Sequence, residues 1–232
     1  MLAQELTGVL RRAGADLVGF GDLQTVKGCA YPRGIAVAVA LPVWVLQGMQ
    51  QGPTMAYSQA KRALDARLEA IALEAETFLR AQGYQAQAQV GKAALKDEQW
   101  RTPVPHKTVA TRAGLGWIGK SCLLVTEEFG SALRLTSILT DAPLPCARPV
   151  DDSRCEQCSV CQQICPAGAL TGRLWHVGVE REQMLRREAC KQMQLRRMQE
   201  LGLDQDLCGL CFAACPYTKR YCARASETEK AP

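Results

Sequence analysis

The C-terminal third of the chain carries the residues whose types and spacing most directly predict chemistry. The sequence has 12 cysteines, and most of them fall in two runs with one lone cysteine between the runs. In order they are Cys155, Cys158, Cys161 and Cys165 before Pro166, then Cys190, then Cys208, Cys211 and Cys215 before Pro216. A CxxCxxC run followed by a further cysteine and a proline is typical of bacterial-type [4Fe–4S] ligation.

The two runs predict a pair of clusters with crossed ligands. In two-cluster ferredoxins the cysteine before the proline ligates the cluster of the other run. By this rule Cys215 completes the first run, Cys165 joins the second run, and Cys190 replaces the third cysteine that the second run lacks. The predicted ligands are Cys155, Cys158, Cys161 and Cys215 for cluster one, and Cys165, Cys190, Cys208 and Cys211 for cluster two. Two four-cysteine zinc sites are the alternative, although zinc needs neither the third close cysteine nor the proline.

Composition and charge narrow the class of protein. With 47% hydrophobic and 22% charged residues, the chain is expected to be soluble and globular. Because disulfides rarely persist in the cytoplasm, most of the 12 cysteines of a cytoplasmic chain are expected to be ligands. The first residues contain no secretory signal, and no apolar run has the length of a membrane span. We therefore expect a cytoplasmic protein without a membrane partner. The net charge of +5 is concentrated in residues 181–197, which would meet an acidic partner or nucleic acid, or form a solvated helix face.

The first 150 residues alternate helical and extended patterns. Residues 2–13 have helical spacing, residues 35–41 form an apolar β-branched run, and residues 54–82 carry an apolar stripe that includes Leu73 and ends at Gly83. This alternation predicts an α/β fold around a mixed sheet. Prolines then mark a linker. We predict an α/β domain over residues 1–145, a small ferredoxin-like double [4Fe–4S] domain over residues 146–222, and a frayed tail over residues 223–232.

A glycine-rich turn follows a predicted helix that begins near residue 107. Its sequence is AGLGWIGKS, from Ala113 to Ser121. Glycines let a backbone approach a large flat or phosphorylated ligand closely, with amide groups free to donate hydrogen bonds. A plain tight turn is the alternative.

The stretch from Lys107 to Ser121, the segment 137–145 and the order of the eight cysteines resemble the epoxyqueuosine reductase family. Its members reduce an epoxide on a tRNA base with cobalamin fed by two clusters, and their cobalamin domain is related to that of reductive dehalogenases. The resemblance implies a cobalamin-binding-like domain with a corrinoid over it. It further implies corrinoid contacts from Gly114, Leu115, Gly116, Trp117, Gly119, Lys120 and Ser121.

The sequence departs from this family in two places. It ends soon after the last cysteine, so we expect a short, divergent member without the C-terminal helical-repeat domain. The family's general-acid aspartate falls at Gln99-Trp100 in this sequence. The remaining candidate proton donors are His106, Asp97, Glu98 and Tyr57. Alternative roles are a helix cap for His106, a solvated loop for Asp97 and Glu98, and packing for Tyr57.

Three functions remain open from the sequence. The first is a cobalamin-dependent iron–sulfur reductase that acts on a small molecule or a nucleoside, with electrons from a low-potential donor such as ferredoxin or flavodoxin. The second is an electron-transfer protein that reduces a partner's corrinoid or flavin. The third is a tRNA epoxyqueuosine reductase proper, for which the basic segment 181–197 and the resemblance are the arguments.

Overall fold

A computed structural model describes residues 1–94, 97–98 and 101–228. The chain forms two compact units, and both are assembled from separate segments. The first comprises Met1–Val39, Leu64–Gly116 and Arg134–Val150, and the second comprises Ala40–Ala63, Trp117–Leu133 and the chain from Asp151 onward. The domain boundaries drawn from the sequence at residues 145 and 222 stay a prediction.

The first unit is built on a four-stranded sheet. Its strands are β1 (Leu17–Asp22), β2 (Arg33–Ala40), β3 (Ala86–Ala88) and β6 (Leu133–Thr140), in the order β1-β2-β6-β3. β1 pairs antiparallel with β2, and β3 pairs antiparallel with β6. Strand β2 lies inside the sheet, and its residues Ile35 to Val39 are at most 1% exposed. This burial explains why the sequence of β2 is continuously apolar rather than alternating.

Three helices and one 3-10 turn accompany this sheet. They are α1 (Leu2–Arg12), α3 (Met55–Ala81), the turn Gly91–Ala94 and α4 (His106–Arg112). The first part of α3, as far as Ala63, belongs to the second unit. Leu64, Leu68 and Ile71 of α3 are buried as predicted, but Leu73 is 46% exposed. Leu73 was wrongly placed in the stripe because two residues after Ile71 a helix has turned by about 200°.

The second unit contains a small hairpin that the sequence did not predict. Strands β4 (Trp117–Ile118) and β5 (Leu124–Val125) pair antiparallel, so Trp117 and Ile118 of the glycine-rich segment form the first arm of this hairpin. The connecting loop is closed by hydrogen bonds from Gly119 N to Leu123 O and from Cys122 N to Gly119 O, both 2.8 Å long. The hairpin presents residues 119–123 as a fixed turn.

Short helices make up the rest of the second unit. They are α2 (Val43–Gln47), α5 (Val160–Gln163), α6 (Arg181–Met184), α7 (Arg187–Glu200), α8 (Leu210–Ala213) and α9 (Pro216–Thr228). α5 packs against α8, and α2 packs against α9. Because α9 continues to Thr228, the predicted tail is helical over residues 223–228, and residues 229–232 lie outside the described part. No helix in the described ranges combines the length and apolar character needed to cross a membrane.

Candidate iron–sulfur site

Two equivalent helix turns carry the cysteine runs. α5 contains Cys161 and α8 contains Cys211, and these helices pack against each other. Before α5 the chain makes a tight turn, in which Cys158 N donates to Cys155 O over 2.8 Å. After α8 the proline following Cys215 is the first residue of α9, the position where its missing N–H costs nothing. These turns bring the thiols of the two cysteine runs into the region around α5 and α8.

The thiols of the first predicted group influence one another. Burial raises the pKa of the Cys161 thiol to about 11, with further increases from Cys155, Cys215 and Cys158. Burial also raises the pKa of Cys215, against the lowering effect of hydrogen bonds from the Thr218 and Tyr217 backbone, and Cys155 and Cys158 add to the increase. The neighbours of Cys161 are thus the three partners predicted for cluster one, including Cys215 from the other run.

The second predicted group behaves in the same way. Burial raises the pKa of Cys190, a hydrogen bond from Gln194 lowers it, and Cys165 and Cys208 raise it. Burial raises the pKa of Cys211 to about 12, with added effects from Cys208, Cys190, Cys161 and Cys165. The lone Cys190 therefore lies with the partners predicted for cluster two. The effect of Cys161 on Cys211 places the two groups next to each other.

A cavity of about 250 Å³ lies at the first group. Its lining includes Cys155, Cys158, Cys161, Cys215 and Cys211 together with Lys120, Ser121, Arg154 and Tyr217. Several thiols around one cavity form the soft donor set that an iron–sulfur cluster requires, so the residues fit this cofactor. Within the described ranges, no three His, Cys, Asp or Glu side chains are grouped so that they could hold a single metal ion.

Several of the residues predicted to contact a corrinoid pack closely against other parts of the protein. A Cβ on Gly114 would lie 2.9 Å from the Arg148 carbonyl oxygen, and a Cβ on Gly19 would lie 2.8 Å from Leu115 Cδ2. Trp117 is 1% exposed and meets Tyr217 edge to face, with ring centroids 4.9 Å apart. Gly116 is also buried. Gly114 is nevertheless exposed and Leu115 is partly exposed, and the corrinoid contacts of the turn stay a prediction.

The last three residues of the turn lie beside the cysteines instead. A Cβ on Gly119 would lie 2.7 Å from Val125 Cγ2 and 3.4 Å from Cys155 Sγ. Lys120 Nζ donates to the carbonyl oxygens of Glu156 and Cys158, and Ser121 lines the cysteine cavity. Of the glycines in the turn, Gly119 therefore approaches the first cysteine run.

The predicted proton donors are distributed over both units. In the first unit His106 Nδ1 and Ser137 Oγ are 2.8 Å apart, and Asp97 Oδ1 accepts a 2.7 Å hydrogen bond from Arg101 N. Asp97 and Glu98 are exposed, as the solvated-loop alternative predicts. In the second unit Tyr57 is 5% exposed and packs edge to face on the Phe212 ring at 5.6 Å. Tyr57 thus packs against α8, in line with the packing role that was the alternative to proton donation.

The basic segment forms α6 and α7. Helix α7 has no buried residue, and Arg187, Lys191 and Arg197 form ion pairs with Glu188, Asp206 and Glu200. Such neutralised cations are typical of a solvated helix face.

Two contributions to the site were missed from the sequence. Gly130 lies against Thr218, whose backbone hydrogen-bonds the Cys215 thiol. Cys122 has a φ of 60° and raises the pKa of Cys190, so a ninth thiol lies near the second group. Gly130, the single glycine between Phe129 and Ser131, was a sequence signal for the close contact with Thr218. The sequence contains no signal for the proximity of Cys122 to Cys190.

Comparison with known proteins identifies a known family for the first cysteine run. Residues 148–171 match the 4Fe-4S binding domain family. Epoxyqueuosine reductase of Pseudomonas aeruginosa is 40% identical over 86 residues, which are 37% of this chain and only 24% of that protein. The chain is also similar to epoxyqueuosine reductase of Bacillus anthracis, at 45% identity over 64 residues, or 28% of this chain and 17% of that protein.

Solved structures extend the likeness over nearly the whole chain. A reductive dehalogenase, whose structure suggests a mechanism for B12-dependent dehalogenation, superposes with a TM-score of 0.65 at 19% identity, covering 98% of this chain and 34% of that one. Epoxyqueuosine reductase with an epoxyqueuosine-modified tRNA-Tyr stem loop superposes with a TM-score of 0.61 at 20% identity, covering 94% of this chain and 65% of that one. The predicted fold class is confirmed.

The chain is thus an iron–sulfur protein with the fold shared by that dehalogenase and by epoxyqueuosine reductase. Its similarity to epoxyqueuosine reductases over part of the chain agrees with the resemblance seen in the sequence.

Proposed function

We propose that this protein is an iron–sulfur reductase that passes electrons from a low-potential donor through two [4Fe–4S] clusters. The observation that carries the proposal is the grouping of the eight cysteines. Cys161 has Cys155, Cys158 and Cys215 as neighbours, while Cys190 has Cys165 and Cys208. Cys161 raises the pKa of Cys211, so the two groups adjoin, which supports electron transfer between the clusters.

The proposed acceptor is a bound cobalamin, and the proposed substrate is a small molecule or a nucleoside. Support comes from the shared fold and from the B12 dependence of the dehalogenation described for one neighbour. Cobalamin would supply a cobalt centre that accepts low-potential electrons. Trp117 and Lys120 of the glycine-rich turn contact other protein groups, so the proposed cobalamin would be held by other residues of the turn or of the α/β domain.

A second candidate function is electron transfer to the corrinoid or flavin of a partner protein. The observation that favours it is the burial of Gly116, Trp117 and Gly119, which are three of the seven residues predicted to meet a corrinoid. A tRNA substrate is supported by the tRNA stem loop bound in one structural neighbour. The ion-paired face of α7 does not add to that support.

Anaerobic reconstitution with iron, sulfide and cobalamin separates the two candidates. After gel filtration, a reductase with its own cobalamin shows a corrinoid absorption band together with the broad cluster absorption. A protein that retains both clusters and loses the corrinoid overturns the cobalamin assignment and supports the electron-transfer candidate. Reconstitution with flavodoxin as reductant then shows whether the clusters accept electrons from a low-potential donor.

A further inference from the structure

Lys120 is a buried lysine held against the first cysteine run. Its Nζ donates hydrogen bonds to the carbonyl oxygens of Glu156, at 2.7 Å, and Cys158, at 2.9 Å. The residue is 9% exposed and lines the cavity formed by the cysteines. One ammonium group thus joins two carbonyls of the turn that connects Cys155 to Cys161.

The turn that Lys120 joins has an unfavourable backbone conformation. Glu156 has a φ of 41°, in the left-handed region that residues with a Cβ rarely adopt. Such a conformation persists where the surrounding structure holds it. The two charge-assisted hydrogen bonds from Lys120 provide that restraint, since bonds of this kind are stronger than neutral ones.

The position of Lys120 is itself fixed by the hairpin. It follows Gly119, whose N–H donates to Leu123 O over 2.8 Å. A side chain on Gly119 would collide with Val125, so the backbone of Gly119 packs closely against β5. Lys120 therefore starts from a rigid turn and reaches the cysteine run in one defined direction.

A buried positive charge also affects the redox chemistry of a cluster beside it. Reduction adds one electron to a cluster and breaks no bond, so the reduced cluster carries one more negative charge. A nearby ammonium group stabilises that state, and burial reduces the screening by water and salt. The reduction potential rises as a result.

We propose that Lys120 is a positioning residue of cluster one, which holds the Cys155–Cys161 turn and raises the reduction potential of that cluster. This inference rests on the ligand set proposed for cluster one. It assigns to Lys120 a contact with the cluster loop that differs from the corrinoid contact predicted from the sequence.

Three variants test the inference in the reconstituted full chain. Lys120→Met keeps the aliphatic length and removes the charge, whereas Lys120→Arg keeps the charge and the donors. Lys61→Met is the matched control, because Lys61 Nζ donates to Gln205 Oε1 in the same unit and does not line the cysteine cavity. For each protein we would measure iron content, loss of iron to a chelator, and both reduction potentials by electron paramagnetic resonance.

In Lys120→Met one potential falls by at least the equivalent of a tenfold change in the reduction equilibrium, about 59 mV for a one-electron couple, and iron is lost faster. Lys120→Arg and Lys61→Met retain the wild-type potentials. Unchanged potentials in Lys120→Met, or an equal shift of both clusters, overturn the inference. If Lys120→Met assembles no cluster one, Lys120→Arg must restore it, and failure to do so also overturns the inference. A wild-type protein without two clusters refutes the proposed function instead.

Discussion

Trp117 and Tyr217 meet edge to face, with ring centroids 4.9 Å apart, and this contact joins the β4–β5 hairpin to the start of α9. Arg220 lies over the Tyr217 ring at 3.9 Å and Arg154 lies over the Trp117 ring at 5.2 Å. Because Tyr217 comes two residues after Cys215, the aromatic pair supports the loop that delivers this thiol.

Replacing Trp117 by alanine should destabilise the second unit strongly. Truncation of a fully buried tryptophan costs about 3–5 kcal/mol, and thermal unfolding of the reconstituted protein measures the loss. Trp44→Ala is the matched control, since Trp44 is 63% exposed and its removal should change the unfolding midpoint little. Equal midpoints for the two variants would show that the aromatic pair does not support the unit.

Cys190→Ala should remove cluster two and leave cluster one. Cys190 lies with Cys165 and Cys208, and a cubane that lacks one of its four thiolates is held less firmly by the protein. Iron content and electron paramagnetic resonance should report one remaining cluster.

Cys146→Ala and Cys222→Ala are the controls for Cys190. Cys146 is influenced by Arg33 and Asp22 in the first unit, and Cys222 by Lys219, so both variants should retain two clusters. Two intact clusters in Cys190→Ala, with one lost in either control, would show that the predicted eighth ligand is wrong.

Gly130→Ala should weaken the second unit more than Gly202→Ala. Their φ angles are 58° and 60°, so both alanines bear the same left-handed strain of about 1–2 kcal/mol. A Cβ on Gly130 would also lie 2.2 Å from Thr218 N, whereas nothing lies within 4 Å of one on Gly202. The clash should cost a further 1–3 kcal/mol or so.

The measurement for this pair is the thermal unfolding midpoint together with iron retention. Because Thr218 N hydrogen-bonds the Cys215 thiol, Gly130→Ala should also release iron faster from the reconstituted protein. Identical behaviour of the two alanine variants would mean that Thr218 moves aside without cost.

Several helices and strands and the two cysteine runs could be predicted from the sequence because their signals lie in short stretches of the chain. Helix α3 follows an apolar period and ends before Gly83, which has a φ of 86°. The cysteine spacing, together with the crossed ligation of two-cluster ferredoxins, predicts which thiols share a cluster. The eight cysteines remain a predicted ligand set, and the thiol neighbours agree with it.

The role of the glycine-rich turn could not be predicted, because it depends on contacts distant in sequence. Lys120 reaches Glu156 and Cys158, about 36 residues further along the chain. Nothing in the turn itself distinguishes a partner of this kind from a cofactor. The assembly of each compact unit from separate segments could not be predicted for the same reason. The amino-acid composition changes only once along the sequence, near residue 145.

The contents of iron and acid-labile sulfide after anaerobic reconstitution test whether the chain holds two [4Fe–4S] clusters. Eight thiols in two adjoining groups predict about eight irons and eight sulfides per chain, with two reduction steps at low potential. Four irons with a single reduction step, or zinc in place of iron, would contradict the account.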